Sequence, residues 1–262
     1  MKKYGAIMKS QLQIYAQYTS WYWAEMFSKI LSVLILFYFW HAVYANVDEV
    51  GNMNLYTMLT YVIIANILND YMRGAGSELG NLVRDGNIGL ELIRPYDIFL
   101  KFMVLDFGGK VASFFQGTIP VLVISFLFLG IQGPANITTF LLFLVSAILG
   151  ILIGSQLDLI VGILAFWFRY IWGLMMLKTA LFSFFAGALI PISLFPDWLA
   201  RISEFLPFKY MVYVPVSIYT GQITGSIIYF YLFMQVVWFV LIYFGIRLMW
   251  RRALKNVTIN GG

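Results

Sequence analysis

The sequence has no cysteine and a single histidine. Disulfides and thiolate metal sites are excluded, and no imidazole cluster can be assembled. Charge is also scarce. Asp, Glu, Lys and Arg supply 11% of the 262 residues against 61% hydrophobic, and a water-soluble fold of this size has no core large enough to hide that much apolar surface. A Gly-rich phosphate loop ending in Gly-Lys-Ser or Gly-Lys-Thr is missing too, so the chain has no nucleotide-hydrolysing site of that kind. What remains is the composition of a membrane protein. The formal charge of +5 does not point to nucleic acid, because the basic residues cluster beside apolar runs, where they report membrane orientation and contact with anionic lipid.

The opening residues lack the uninterrupted apolar core and small-residue cleavage site of a signal peptide, so they are expected to stay in the mature chain. Tyr4, Met8, Leu12, Tyr15, Tyr18 and Tyr22 recur at a period near 3.6, with Lys3, Lys9, Gln13, Gln17 and Ser20 opposite. The pattern predicts an amphipathic helix over 1–24 lying in the membrane interface, with an ordinary first helix packed on protein as the alternative. Long charge-poor runs follow. A span needs about 20 mainly apolar residues to cross roughly 30 Å, and on that basis six spans are expected, near 26–45, 54–73, 106–129, 137–160, 171–195 and 226–249. "GIQGPAN", Gly130 to Asn136, divides a run too long for one crossing. The whole of 1–262 reads as a single all-α polytopic membrane domain.

Six spans place both termini on one side. Lys2, Lys3, Lys9, Arg73, Arg84, Arg94, Lys101, Arg169, Arg247, Arg251, Arg252 and Lys255 lie on that side, and only Arg201 and Lys209 lie opposite. The asymmetry predicts cytoplasmic termini and a basic cytoplasmic tail over 250–262.

The most polar stretch between spans is "RGAGSELGNLVRDGNIGLELIRPYD", Arg73 to Asp97, which makes up most of a cytoplasmic loop at 74–100. Ser77 is a candidate cap for a short helix with an apolar face at Leu79, Leu82 and Val83, broken at Gly86. Asn87 is a candidate cap for a second, carrying Ile88, Leu90 and Leu92 and ended with the help of Pro95. A plain tether needs no such faces; they either dock a partner or pack on the spans, and composition leaves both open. At the opposite end, Pro196 precedes Asp197, a candidate cap for a helix whose apolar face carries Trp198, Leu199, Ile202, Phe205 and Leu206. Pro207 interrupts it, and Tyr210, Met211 and Tyr213 continue toward Pro215. A pair of short helices at the outer boundary within 196–225 is expected, an aromatic belt without further role being the alternative.

Ionisable residues at membrane depth are costly and usually face protein or a water-filled cavity. Glu25 and Lys29, and Asp106 and Lys110, are four apart and suit mutual neutralisation. Asp158 has Arg169 or another helix as its partner, and His41 sits near the outer end of the first span. Gly150, Gly154 and Ser155, and likewise Gly108, Gly109, Ser113 and Gly117, permit close helix approach.

"GNIGLELIRPYD" resembles the cytoplasmic loop of membrane subunits of type-2 ABC exporters, in a subfamily with the motif G-x-I-x-x-E-L-x-R-P. "FPDWLARISEFLPFKYMVYVPVSIYTG" and the basic ending "WRRALKNVTINGG" carry the same resemblance. It implies a permease that pairs with a second permease and with two cytoplasmic ATPase subunits, which would bind the ATP and Mg; this chain would hold no cofactor and no metal and have no catalytic residue. It also implies that the loop after span 2 is a coupling helix, with Glu78, Leu79, Leu82, Val83, Arg84 and Asp85 near the ATPase groove and Ile88, Glu91 and Arg94 in the brace behind it. The outer segment, with Pro196, Asp197, Trp198, Leu206, Pro207, Tyr210, Tyr213 and Pro215, resembles a re-entrant hairpin over the exit. Phe27, Leu31, Leu34, Phe182, Phe185 and Leu189 are the implied permease interface, with a related rather than identical second chain favoured. The cargo implied is amphiphilic: an antimicrobial peptide, a drug or a lipid-like molecule, exported across a bacterial plasma membrane.

A secondary transporter or a non-transporting scaffold has the same hydropathy, although no internal repeat of the kind secondary transporters show is visible. Orientation is open to a direct test in this cysteine-free chain. With Asn87→Cys and Pro134→Cys made separately, an impermeant thiol reagent applied to intact cells is expected to label position 134 and spare position 87. The reverse pattern overturns the topology.

Overall fold

The computed structural model describes residues 2–17, 19–168 and 170–256, and the side chains of 4–10, 13, 23–168 and 170–255. The interface-helix positions Leu12, Tyr15, Tyr18 and Tyr22, the candidate partner Arg169 and the end of the tail lie outside these side chains. The described chain is helical: α1 (Lys2–Gln17), α2 (Thr19–Val43), α3 (Leu55–Asp70), α4 (Gly76–Arg84), α5 (Ile88–Leu92), α6 (Ile98–Ser113), α7 (Ile119–Phe128), α8 (Ile137–Ile163), α9 (Trp172–Phe185), α10 (Asp197–Glu204), α11 (Tyr213–Tyr219) and α12 (Ile227–Ala253).

Among the described residues, four stretches are helical, long and apolar enough to cross a membrane: Trp23–Asn46, Ile98–Phe128, Ile137–Phe166 and Ile227–Ala253. Their outward faces carry large apolar side chains such as Phe39, Phe126, Phe233 and Phe244, which suits lipid rather than water. The chain is thus a largely membrane-embedded, multi-pass α-helical protein.

The stretches read as spans over 54–73 and 171–195 are shorter helices. α3 has 16 residues, about 24 Å at 1.5 Å per residue. Its residues Met58 to Ala65 are all buried, so its all-round hydrophobicity serves a central helix packed on α2 and α11. α9 stops at Phe185. Gly187 adopts φ +75°, and the Gly187 and Ala188 N–H groups donate to the Phe184 and Ser183 carbonyls. This is a Schellman termination, for which glycine is the favoured residue. The freed Ala186 carbonyl accepts the Tyr213 N–H at 2.9 Å, and Gly187 O accepts the Tyr61 hydroxyl at 2.9 Å. The end of α9 is thereby tied to α11 and to the central α3.

α6 and α7 form one rod joined by a π-helical turn at Phe114–Thr118. Pro120 is the second residue of α7; its ring and missing N–H disturb the preceding turn, and the extra residue of a π turn absorbs that.

Local caps differ from the sequence expectation. Ser77 lies inside α4, where Ala75 holds the cap position. Asn87 precedes α5, but its side chain makes no capping bond. Pro196 holds the cap position of α10, and Asp197 is the first helical residue.

The outer segment has two unlike halves. α10 is amphipathic, and Trp198, Ile202 and Phe205 face outward. After buried Pro207, residues Tyr210 to Ile218 run through the interior, with only Tyr213 partly exposed, and α11 packs on α8 and α3. An aromatic belt alone does not describe a segment so deeply packed. Gln235 of α12 holds its start: the side-chain amide donates to Tyr210 O at 2.7 Å and Ser146 O at 2.9 Å, and its Oε1 accepts Ser146 Oγ at 3.1 Å.

Candidate functional site

The loop helix α4 is fastened to the membrane body by one carboxylate. Asp158 of α8 accepts the Gly76 N–H at 2.7 Å through Oδ2, satisfying one of the donors that a helix N-terminus leaves unpaired. Its other oxygen, Oδ1, pairs with Lys178 of α9. Lys178 also lies over the Phe182 ring, 5.6 Å from its centroid. Asp158 and Lys178 are both buried, so each charge depends on the other: desolvation costs several kcal/mol per ion unless pairing and hydrogen bonds offset it. Another helix, one of the two partners left open by the sequence, supplies the counter-charge; Arg169, the other, lies outside the described residues.

Glycine makes this contact possible. A Cβ on Gly76 would lie 2.1 Å from the Asp158 carbonyl oxygen, and one on Gly162 would lie 2.5 Å from Gly76 O. The obstructing atoms are backbone, so no side chain can swing aside. On the next turn a Cβ on Gly80 would meet Ile171 Cδ1 at 2.0 Å. These approaches bring α4 directly onto the end of α8 and the Leu164–Phe166 turn.

The sequence-selected loop residues consequently divide. Leu79 is fully buried and Gly80 is interior, so Leu79 belongs to the chain's own core and is not available to a partner. Leu82 and Val83 are half-buried against that core, not free in water. Glu78, Arg84, Asp85 and Arg94 are exposed, with Arg84 Nε donating to Asp85 Oδ1 at 2.9 Å. Ile88 and Glu91 are buried. Two outward apolar side chains gain weight, Leu90 and Ile93, the latter 80% exposed; helical periodicity is a poor guide in a five-residue helix.

Glu91 is the pin of this elbow. Its carboxylate receives Lys101 Nζ of α6 at 2.6 Å and the Tyr96 hydroxyl, with Arg94 Nη1 at 3.3 Å. Burial pushes its pKa up, but the Lys101 and Tyr96 hydrogen bonds and the Lys101 and Arg94 charges outweigh that and hold it below the usual range.

The remaining charges meet where α2, α3, α4 and α6 surround a cavity of about 740 Å³. Lys29 pairs with Glu25 at 2.8 Å, donates to Ser113 Oγ at 3.1 Å and lies 3.8 Å from Asp70. Lys110 pairs with Asp106 at 2.6 Å and donates to Ser155 Oγ, which donates to Asp106 Oδ2 at 2.7 Å. Both pairs expected from i, i+4 spacing form. Among the described residues no group of His, Asp and Glu is arranged to hold a metal ion.

The interface candidates are less uniform. Phe27, Leu31 and Leu189 face outward and Leu34 and Phe185 are partly covered, whereas Phe182 is buried beside Lys178 and Phe208. Phe182 is an internal packing residue rather than one that can form a permease contact. In the outer segment Pro196, Asp197 and Trp198 are exposed, Leu206 and Tyr213 half-buried, and Pro207, Tyr210 and Pro215 buried.

A multi-pass helical protein with a short helix locked onto the ends of its spans is the class the geometry defines. The model of the ABC-2 family transporter proteins matches residues 30–261, which is most of the chain, and the protein belongs to that family. A comparison with curated proteins finds no match. The chain is therefore a permease of ABC-2 type, and the family architecture implies association with an ATPase and a paired permease.

Two outcomes test this site. Asp158→Asn leaves Lys178 buried without its counter-charge and is expected to cost about 3–5 kcal/mol, read as a lower Tm of the purified protein. Because the Asn carbonyl still accepts the Gly76 N–H, the double variant Asp158→Asn with Lys178→Met is expected to recover most of that loss. The Glu91 pin is expected to respond to pH. A carboxylate with a depressed folded pKa contributes stability that is present above its unfolded value, about 4.3, and lost as pH falls through the lower folded value. Hydrogen exchange over residues 88–97, corrected for intrinsic rate, is expected to be equally protected at pH 7 and 5.5 and to lose protection below about pH 4. Glu91→Gln is expected to abolish that dependence.

Proposed function

We propose that this chain is the permease subunit of an ATP-driven exporter that moves an amphiphilic cargo, an antimicrobial peptide, a drug or a lipid-like molecule, out across a bacterial plasma membrane. Two ATPase subunits supply hydrolysis, and a second permease, related rather than identical, completes the path. In this reading the chain crosses the membrane six times with both termini cytoplasmic, α3 and α9 completing the set with the turns that follow them. α4 is the coupling helix, α5 and Glu91 brace it, and the α10–α11 segment shapes the exit.

The observation that carries the reading is the attachment of α4. Gly76 and Gly162 put two backbones in contact, and Asp158 caps the helix from within the span bundle, so a push on α4 is passed to α8 and α9 without slack. A bound partner shifts a conformational balance only through contacts that differ between the states, and a stiff lever preserves that difference. The outward surface left for an ATPase is Asn81, Arg84 and Asp85, continued by Leu90, Ile93 and Arg94. Phe27, Leu31 and Leu189 are the outward positions proposed for the second permease.

The test uses exposed positions, where the fold has little to lose. The double variant Arg84→Glu with Ile93→Asp reverses one charge and places another in a contact that excludes water, where an unpaired charge is costly. It is expected to insert and accumulate like the parent, and to lose co-purification with the ATPase or cargo-stimulated hydrolysis by at least about tenfold, the equivalent of 1.4 kcal/mol. A variant that still binds and stimulates its ATPase as the parent does overturns the coupling role of this surface. A scaffold or a secondary transporter would have no ATPase to lose.

A further inference from the structure

The cavity beside α4 has more charge than its own ion pairs use. Four carboxylates and three cations line it, one formal negative charge in excess. Glu25 with Lys29, and Asp106 with Lys110, neutralise each other across short contacts. Three charges are left over. Asp70 has the 3.8 Å approach of Lys29 and the charge of nearby Arg73, while Arg73 and Glu78, both exposed at the mouth of the cavity, make no ion pair or hydrogen bond among the described residues. Charges on a cavity wall that the protein leaves without a close partner are open to a ligand of the opposite sign. A cavity of about 740 Å³ is within the usual size for a small-molecule site, roughly 300–1,000 Å³.

We propose that this cavity binds the polar end of an amphiphile whose protonated amine sits beside an anionic group. The amine is taken by Asp70, with Glu78 adding negative charge to the same cavity wall, and the anionic group by Arg73, which suits phosphate or carboxylate through its fork of donors. Ser32 and Ser113 supply hydroxyls on the cavity wall. A tail has an exit. Ala24 and Ser28 form a rim on α2 and are themselves exposed, next to the outward-facing Phe27 and Leu31, so an acyl chain leaving the cavity enters the seam along the apolar face proposed for the second permease. A freely soluble zwitterion would have no use for that face. Because Glu78 stands on the first turn of α4, an occupant touches the loop helix and the spans together. That consequence rests on the exporter reading; the binding itself does not.

The shared head chemistry could come from a bilayer phosphoethanolamine lipid or from a zwitterionic cargo, and the test separates them. Native mass spectrometry of the purified full chain in detergent would measure binding of dihexanoyl phosphoethanolamine, Nε-lauroyl-lysine, dihexanoyl phosphoglycerol and dodecylamine. At least one of the two zwitterions is expected to bind about tenfold or more tightly than either singly charged amphiphile, a difference of about 1.4 kcal/mol. Preference for phosphoethanolamine assigns the site to lipid, and preference for lauroyl-lysine assigns it to cargo. Asp70→Asn with Glu78→Gln is expected to erase the advantage over phosphoglycerol, and Arg73→Gln the advantage over dodecylamine, with Tm monitored to confirm that each variant is folded. The proposal is overturned if phosphoglycerol or dodecylamine binds as tightly as both zwitterions, or if folded charge variants leave the ranking unchanged. No ATPase takes part, so this result is independent of whether α4 couples to one.

Discussion

The arrangement depends on the carboxylate of Asp158. It is buried in α8 with one oxygen committed to Lys178 and the other to the Gly76 N–H. A lone carboxylate at that depth would be expelled or neutralised; with a counter-ion and a helix N-terminus on its two oxygens it becomes a joint of three elements. Lys178 brings in α9 and the N–H bond brings in α4 at its first turn, and α4 stays packed on the body through Leu79 and Gly80 while Arg84 and Asp85 are exposed.

Close packing makes the joint rigid. At Gly76 and Gly162 the neighbours of the missing Cβ atoms are backbone atoms, and van der Waals contact between backbones cannot relax by rotamer change. Small residues in helices without a hydrophobic driving force between them have this use: they trade side-chain area for approach distance. The cost of that choice is offset by Leu79, which fills the interior beside the glycines and is fully buried.

Much of the helical content was legible in the sequence because long apolar runs have few alternatives to helix in a membrane. The i, i+4 pairs Glu25–Lys29 and Asp106–Lys110 were also legible, since both partners share one helix. What was hidden depends on residues far apart in the chain. Asp158 and Lys178 are 20 positions apart and Ser146 and Gln235 are 89, and no local pattern couples them. The end of the helix within 171–195 was not legible because the residues after Gly187 are as apolar as those before it; a positive φ and the two terminating hydrogen bonds mark the stop at Phe185. Leu79 followed the amphipathic pattern of α4 correctly as an apolar-face residue. Periodicity tells which face is apolar and not what covers it, and here the body of the same chain does.

The same reasoning extends along α8 to the other side of the protein. A Cβ on Gly150 would lie 2.5 Å from Met211 O, in the buried half of the outer segment, and one on Gly154 would lie 2.7 Å from Met72 Sδ at the end of α3. Gly150 and Gly162 are separated by about 18 Å along a helix at 1.5 Å per residue. One helix therefore holds the outer segment by backbone contact near one point and the loop helix by backbone contact near another. Gln235 adds polar bonds at the first point and Asp158 at the second. A displacement of α4 that keeps its contact with Gly162 must carry α8 with it, and Met211 can stay behind only by opening a packed backbone contact and stripping Tyr210 O of its buried hydrogen bond. Both are costly in a close-packed interior. Lys110 and Asp106 of α6 meet Ser155 of α8 between those two points, so α8 is the element on which the outer segment, the loop helix and α6 converge.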